Sequence, residues 1–167
     1  KIVFELFSKL VPRTSLNFYN FCLGLSREGH SYSYKDTKFH KVIPGMLVQG
    51  GKITENNDLS LFGKQFPSEN YLYGHDQPGI LSMVNNGPNS NGHQFFITTS
   101  DCSWFDGKHV AFGKVVEGMS VLNAIEAAGS TDGTPKADIR VSECGVIESP
   151  DLPTEEEAHG HGHGHNH

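Results

Sequence analysis

Phe39-His40-Lys41-Val42-Ile43-Pro44-Gly45-Met46-Leu47-Val48-Gln49-Gly50-Gly51 is the stretch on which the fold turns. Apolar, β-favouring residues fill 38–43 and 46–49, with Pro44-Gly45 between them, so the spacing predicts two short strands about a turn. The same rhythm continues outward. Further strands are expected at 2–7, 79–83, 95–98, 110–115 and 138–146, separated by Gly, Pro and Asn clusters. Such spacing favours an antiparallel barrel or sandwich over βαβ units.

Two helices interrupt the strands. Pro12 stands in a first helical turn, Phe18, Phe21 and Cys22 recur at i, i+3, i+4, and Gly24 marks the stop. Met119, Leu122 and Ile125 form a stripe over 119–128, with Gly129 as the C-terminal cap. Residues 25–36 read as a polar loop. Two short helices and about seven strands suffice to cover the open ends of a barrel.

The chain has 167 residues, one domain's worth, with 36% apolar residues but 10% aromatics and 19 glycines. This composition favours a compact β fold with tight turns and excludes collagen, coiled coil and wholesale disorder. No apolar run reaches the length of a membrane span. The net charge is −6, yet five of the 19 acids lie after residue 147, where no Lys or Arg occurs. The body is therefore nearly neutral, which argues against nucleic acid as a partner. After Ile147 come Pro150, Pro153, an acidic run and alternating His and Gly, so 148–167 is expected to be a disordered tail beyond a domain at 1–147. Its five closely spaced histidines are capable of binding Zn²⁺, Ni²⁺ or Cu²⁺, but a solvated tail or purification handle is the simpler reading.

Cys22, Cys102 and Cys144 lack CxxC spacing and read as buried free thiols. With no glycosylation sequon, they favour a reducing, cytoplasmic setting. No metal site is expected in the body and no cofactor is called for. Nucleophile elbow, HExxH motif and P-loop are all absent, which removes the usual hydrolase and kinase signatures.

Polar residues instead alternate with aromatics in four places: 39–51, 78–88, 91–97 and 104–110. Singly, His40 reads as a hydrogen-bonded core histidine, Gln49 and Gln94 as backbone partners, Met46 and Phe96 as core, and Asn85-Asn86-Gly87 as a turn. Together, Phe-His-x-x-Ile-Pro-Gly…Gln-Gly-Gly (39–51), Asn-Gly-x-Gln-Phe-Phe (91–96) and Trp-x-Asp-Gly-Lys-His-Val-x-Phe-Gly (104–113) resemble the cyclophilin family of peptidyl-prolyl cis–trans isomerases, over residues 1–147. The resemblance implies a mainly β fold: a closed antiparallel barrel of eight strands capped by two helices, with a proline-peptide groove outside. A family strand preceding 2–7 is missing from this sequence. Backbone is therefore expected to be exposed on 2–7 and on the last strand near 138–146. The sequence is accordingly expected to be a domain of a larger protein.

The resemblance also implies site residues. Met46, Leu47, Phe96 and Phe105 would form the proline socket. Gln49 and Asn85 would hydrogen-bond peptide backbone, Gln94 and His109 would support the groove, and Trp104 would stand at its rim. Val84 and Asn86 would line the approach for the residue before proline. Lys41 falls where active members carry Arg, so the catalytic set is Lys41, Gln49, Phe96 and His109 with reduced turnover expected. Met46 stands for the family's Phe, Phe105 for its Leu and Asn86 for its Ala. Partners are then Pro-containing segments, and cyclosporin with weakened affinity, bound by a monomeric domain that either works as an isomerase or serves as a non-catalytic peptide-binding module in a multi-protein assembly.

Overall fold

The computed structural model describes residues 1–148; the acidic and His-Gly tail expected at 148–167 lies outside them from residue 149 on. Eight strands and two helices are present among the described residues: β1 (Val3–Leu6), α1 (Pro12–Leu23), β2 (Leu25–Arg27), β3 (His30–Tyr32), β4 (Lys41–Ile43), β5 (Leu47–Gly50), β6 (Ile80–Met83), β7 (Phe95–Thr98), β8 (Ala111–Glu117) and α2 (Met119–Ala127). Six strands form one antiparallel sheet in the order β1-β8-β6-β7-β5-β4, and β2-β3 form a separate hairpin. The mainly β fold with two helices is as expected.

Register sorts the side chains. Val42, Val48, Ile97, Leu81 and Gly113 lie opposite one another across β4, β5, β7, β6 and β8. The four side chains of that row are fully buried and face the core. α1 lays Phe18 and Phe21 on the same core, and Phe18 meets Tyr34, Phe95 and Phe112 with ring centroids 5.2–5.3 Å apart. Aromatic area thus does much of the work that Leu would do in a helical bundle.

The turn between β4 and β5 has Pro44 and then Gly45 at φ 78°, closed by Met46 N–H donating to Ile43 C=O (3.0 Å). This is the type II arrangement, in which the left-handed third position requires Gly. Gly51 follows β5 at φ 77°, and a Cβ there would lie 2.7 Å from the Phe95 ring. Only Gly fits at that place.

α1 carries Pro12 at its start, but Val11 offers no side-chain cap. Glu69, far along the chain, supplies one. Its carboxylate accepts the Arg13 N–H (3.1 Å), the Thr14 N–H (2.9 Å) and the Thr14 hydroxyl (2.9 Å). A negative charge on these orphan donors is where the helix dipole favours it.

Two expectations need correction. The segment read as a polar loop holds the β2-β3 hairpin, whose turn is Glu28-Gly29 with φ 52° and 80°. Two left-handed residues make this a tight hairpin turn, but Glu is a weaker marker than Asn or Asp, and the exposed Ser26 and Ser31 erase the apolar alternation. The last strand, expected at 138–146, is absent. Arg140 makes only an isolated bridge with Lys38, flanked by backbone bonds from Asp36 and Phe39 to Val141 and Ile139. Asp36 sits at φ 68° and turns the chain away, so the ladder cannot lengthen.

β1 pairs with β8 along one edge, and no strand of the described residues lies along the other. A cleft of about 560 Å³ opens there, between β1 and residues 145–148 and floored by Phe18 and Tyr19. The three thiols are free; Cys102 is buried as expected, whereas Cys22 and Cys144 are only half-buried. Among the described residues no helix is long and apolar enough to cross a membrane, and no cluster of His, Cys, Asp or Glu is arranged to hold a metal ion.

Candidate active site

The face of the sheet opposite the core carries a second row. Lys41 lies opposite Gln49, Gln49 opposite Phe96, and Phe96 opposite Ser82, so these four side chains share the outer face of β4, β5, β7 and β6. Next to it, Ile43, Leu47 and Thr98 form a parallel row. Residues far apart in sequence are brought together here because antiparallel pairing repeats the same two-residue alternation on every strand.

Phe96 is the centre of an aromatic cluster. Its ring lies 4.9 Å from Phe105, 5.3 Å from His109 at right angles, and 6.0 Å from His75 nearly parallel. Phe105 and Trp104 belong to one short 3-10 turn, Ser103–Phe105, with Trp104 half exposed at the edge and 5.8 Å from Phe105. Phe105 covers Phe96 so closely that Phe96 keeps only 2% exposure. Leu47 is likewise buried, whereas Met46, in the turn before it, is half-buried.

The polar residues differ in what they leave free. Among the described residues Gln49 makes one long contact, its carboxamide nitrogen to His40 Nε2 at 3.4 Å, and its carbonyl oxygen has no partner there. Lys41 is exposed and forms no ion pair or hydrogen bond among the described residues. Its stem lies against the loop that follows α2: a Cβ at Gly133 would sit 3.1 Å from Lys41 Cγ. That loop is itself pinned to β4 by Val42 N–H to Gly133 C=O and Ser130 N–H to Val42 C=O.

His109 donates Nδ1–H to the Met83 carbonyl (2.9 Å), since a carbonyl only accepts. Nε2 is then an acceptor facing the remaining space. Burial lowers the His109 pKa, and Lys108 lowers it further against the opposing hydrogen bond, so the ring is neutral at pH 7.

Asn85 turns its side chain inward, donating to Asn91 Oδ1 (3.2 Å) and to the Lys108 carbonyl (3.1 Å) and accepting the Gly87 N–H (3.2 Å). Its backbone groups, not its amide side chain, are left to meet a peptide. Asn86 is exposed, with its N–H held by Ser90 Oγ at 2.7 Å. Val84 is half-buried and pairs by its N–H with the Gln94 carbonyl, and Gln94 itself is buried. All twelve expected residues therefore fall on the outer row, its flanking turns or the adjoining 84–86 segment.

Sequence reading missed two supports of this surface. Asn57, in the left-handed region at φ 52°, accepts the His93 and Gln94 N–H groups (2.9 and 2.8 Å) on Oδ1 and donates to the Val84 carbonyl (3.1 Å). Gly92 is obligatory beside it, because any Cβ would strike the Asn57 carbonyl oxygen. His93 is fully buried, donates Nδ1–H to the Gly51 carbonyl (2.7 Å) and accepts the Thr54 N–H at Nε2 (3.2 Å). The Asn56-Asn57-Asp58 run was the available signal, a turn with side chains suited to backbone capping. His75, which packs behind Phe96, is the other support, and no motif flags it.

Comparison with known families agrees with this arrangement. A family model described as cyclophilin type peptidyl-prolyl cis-trans isomerase/CLD matches residues 1–146, nearly all of the described chain. The protein therefore belongs to the cyclophilin-type peptidyl-prolyl isomerase family.

Proposed function

We propose that the outer row is the groove of a peptidyl-prolyl cis–trans isomerase of reduced turnover. The observation that carries this reading is the register Lys41–Gln49–Phe96, which sets a cation, a carboxamide and an aromatic floor side by side on one face. An Xaa-Pro bond is held by a barrier of about 18–20 kcal/mol through conjugation of its nitrogen lone pair, and it exchanges over roughly tens to hundreds of seconds. Lowering that barrier requires no nucleophile, metal or cofactor. It requires a grip on the ring, a grip on the flanking backbone, and a donor for the nitrogen as it pyramidalises, all tighter on the twisted amide than on the planar one.

In this reading Met46, Leu47, Phe96 and Phe105 hold the pyrrolidine. The Gln49 carboxamide and the Asn85 backbone hold the peptide on either side, while Gln94 and the 57–93 network keep the 84–86 segment in place. Val84 and Asn86 border the residue before proline. Lys41 donates to the prolyl nitrogen. Lys is a flexible point charge where Arg would present a rigid fork of five donors. A charge-assisted hydrogen bond contributes about 1.5–3 kcal/mol, and each 1.4 kcal/mol is about tenfold in rate. A misdirected donor therefore lowers turnover by roughly one to two orders of magnitude.

The buried state of Phe96 and the packing of the Lys41 stem against Gly133 favour a second reading, a module that binds Pro-containing segments without turning them over. An NMR-exchange isomerase assay on an Xaa-Pro peptide separates the two. Lys41→Arg is expected to raise kcat/KM by roughly 10- to 100-fold. Peptide binding without turnover in either form leaves the module, and absence of binding removes both. Cyclosporin is expected to bind weakly, with Trp104 kept at the rim and Met46, Asn86 and Lys41 reducing the fit. A cyclosporin titration with no thermal shift would count against an open groove.

A further inference from the structure

Behind the aromatic floor lies a hydrogen-bonded chain that the proposed reaction does not use. The Asp106 carboxylate accepts the His75 N–H (2.7 Å) and, because it only accepts, fixes the proton of His75 on Nδ1 (2.8 Å). Nε2 is thereby an acceptor, and the Ser82 hydroxyl donates to it at 2.8 Å. The His75 carbonyl accepts the Cys102 N–H at 2.7 Å. Two hydrogen bonds thus hold the imidazole, and two more hold the backbone of the same residue. Gly74 leaves room for the carboxylate, since a Cβ there would lie 3.1 Å from Asp106 Oδ2.

A Ser, a His and an Asp at these distances are the components of a serine hydrolase triad. Here Ser82 and His75 have no exposed surface, so no substrate carbonyl reaches the hydroxyl. What the ring does reach is the groove from behind. It lies 16° from parallel to Phe96 and 68° from the plane of Phe105. Asp106 ends the same short turn that carries Phe105, and Ser82 sits opposite Phe96 in the sheet. The two aromatic walls of the socket come from separate parts of the chain, and His75 is bonded to the neighbour of each.

We propose that His75 is a positioning residue: held between Asp106 and Ser82, it fixes the distance and tilt between Phe96 and Phe105, and so the width of the proline socket. This rests on the isomerase-groove reading and extends it to the residues behind the floor.

The test uses Asp106→Ala, Asp106→Asn, Ser82→Ala and the Ser82→Ala/Asp106→Ala double variant. Each is read by NMR-exchange kinetics on an Xaa-Pro peptide and by the ring-carbon shifts of Phe96 and Phe105. Ser82→Ala and Asp106→Ala are each expected to lower kcat roughly three- to tenfold, with KM changed by less than about twofold. The double variant is expected to fall no further than the worse single one, because both act through one ring. Asp106→Asn keeps an acceptor for both His75 hydrogens and is expected to stay within about twofold of the parent. Both aromatic rings should shift in the Ala variants. Additive losses, or unchanged kcat with unchanged ring shifts in a folded Asp106→Ala protein, would overturn the assignment. Should the parent show no turnover, the isomerase reading falls alone. The ring shifts and the peptide Kd then decide the positioning claim: unchanged values in both Ala variants refute it, and displaced rings with weakened binding uphold it.

Discussion

Phe95 and Phe96 are neighbours on one strand with opposite occupations. Phe95 points into the core, within 5.3 Å of Phe18 and 5.1 Å of Tyr34. Phe96 points to the outer face and is covered by Phe105, His109 and His75. Both are almost fully buried, at 4% and 2% exposure. Burial alone therefore does not separate core from site; the company does. The inner ring is surrounded by hydrocarbon. The outer one is bordered by two imidazoles and, across the sheet, by the Gln49 carboxamide, with Lys41 one strand beyond.

Truncation breaks the comparison most forcefully. Phe95→Ala is expected to cost about 3–5 kcal/mol of stability, read by denaturant unfolding. Phe96→Ala is expected to cost less, because fewer hydrocarbon neighbours are lost, yet to abolish measurable turnover and peptide binding. Equal stability losses with peptide binding intact would make the outer face a second core and nothing more.

Acid is the next largest effect and acts on both faces. His75 on the outer side and His93, 6.1 Å from Phe21 on the inner side, are held neutral: burial lowers both pKa values below 6.5, more strongly than the hydrogen bonds to Asp106 and Gly51 raise them. As pH falls the unfolded chain takes up these protons first. Stability is thus complete above about pH 6.5 and is lost as the pH drops through the lower folded-state values, by up to about 1.4 kcal/mol per pH unit for each ring. His93→Gln is expected to remove about one proton from that slope, measured by denaturant midpoints between pH 7 and 5. An unchanged slope would mean that His93 already titrates normally in the folded protein.

Smaller effects sharpen the outer face. Phe105→Leu should uncover Phe96 and tighten an Xaa-Pro peptide by roughly two- to fivefold in an NMR titration. Weaker binding would show that the larger ring is itself the contact. Trp104→Ala, at a half-exposed rim, should change stability by less than about 0.5 kcal/mol while reducing cyclosporin affinity.

Much of this was legible in the residues. Short β-favouring runs between Gly, Pro and Asn clusters located β1, β4, β5, β6, β7 and β8 to within a few positions, because turn residues mark where such strands must end. The outer row was legible through three motifs that the cyclophilin resemblance ties together. What escaped notice depends on partners remote in the chain. β2-β3 has no apolar face to betray it, and 138–146 looked like a strand although its partner segment bends away at Asp36. His75 and Asn57 act through hydrogen bonds to residues remote in the chain, such as Asp106, 31 positions away, and Val84, 27 away, and such bonds leave no periodic trace.

The Glu69 carboxylate at the head of α1 has a consequence for synthesis. Its bonds to Arg13 and Thr14 join positions 56 and 55 apart. A growing polypeptide therefore exposes the helix start well before its stabilising anion is translated. The first turn lacks this cap on the ribosome until Glu69 clears the exit, which delays closure of this end of the molecule and ties its completion to a long-range event.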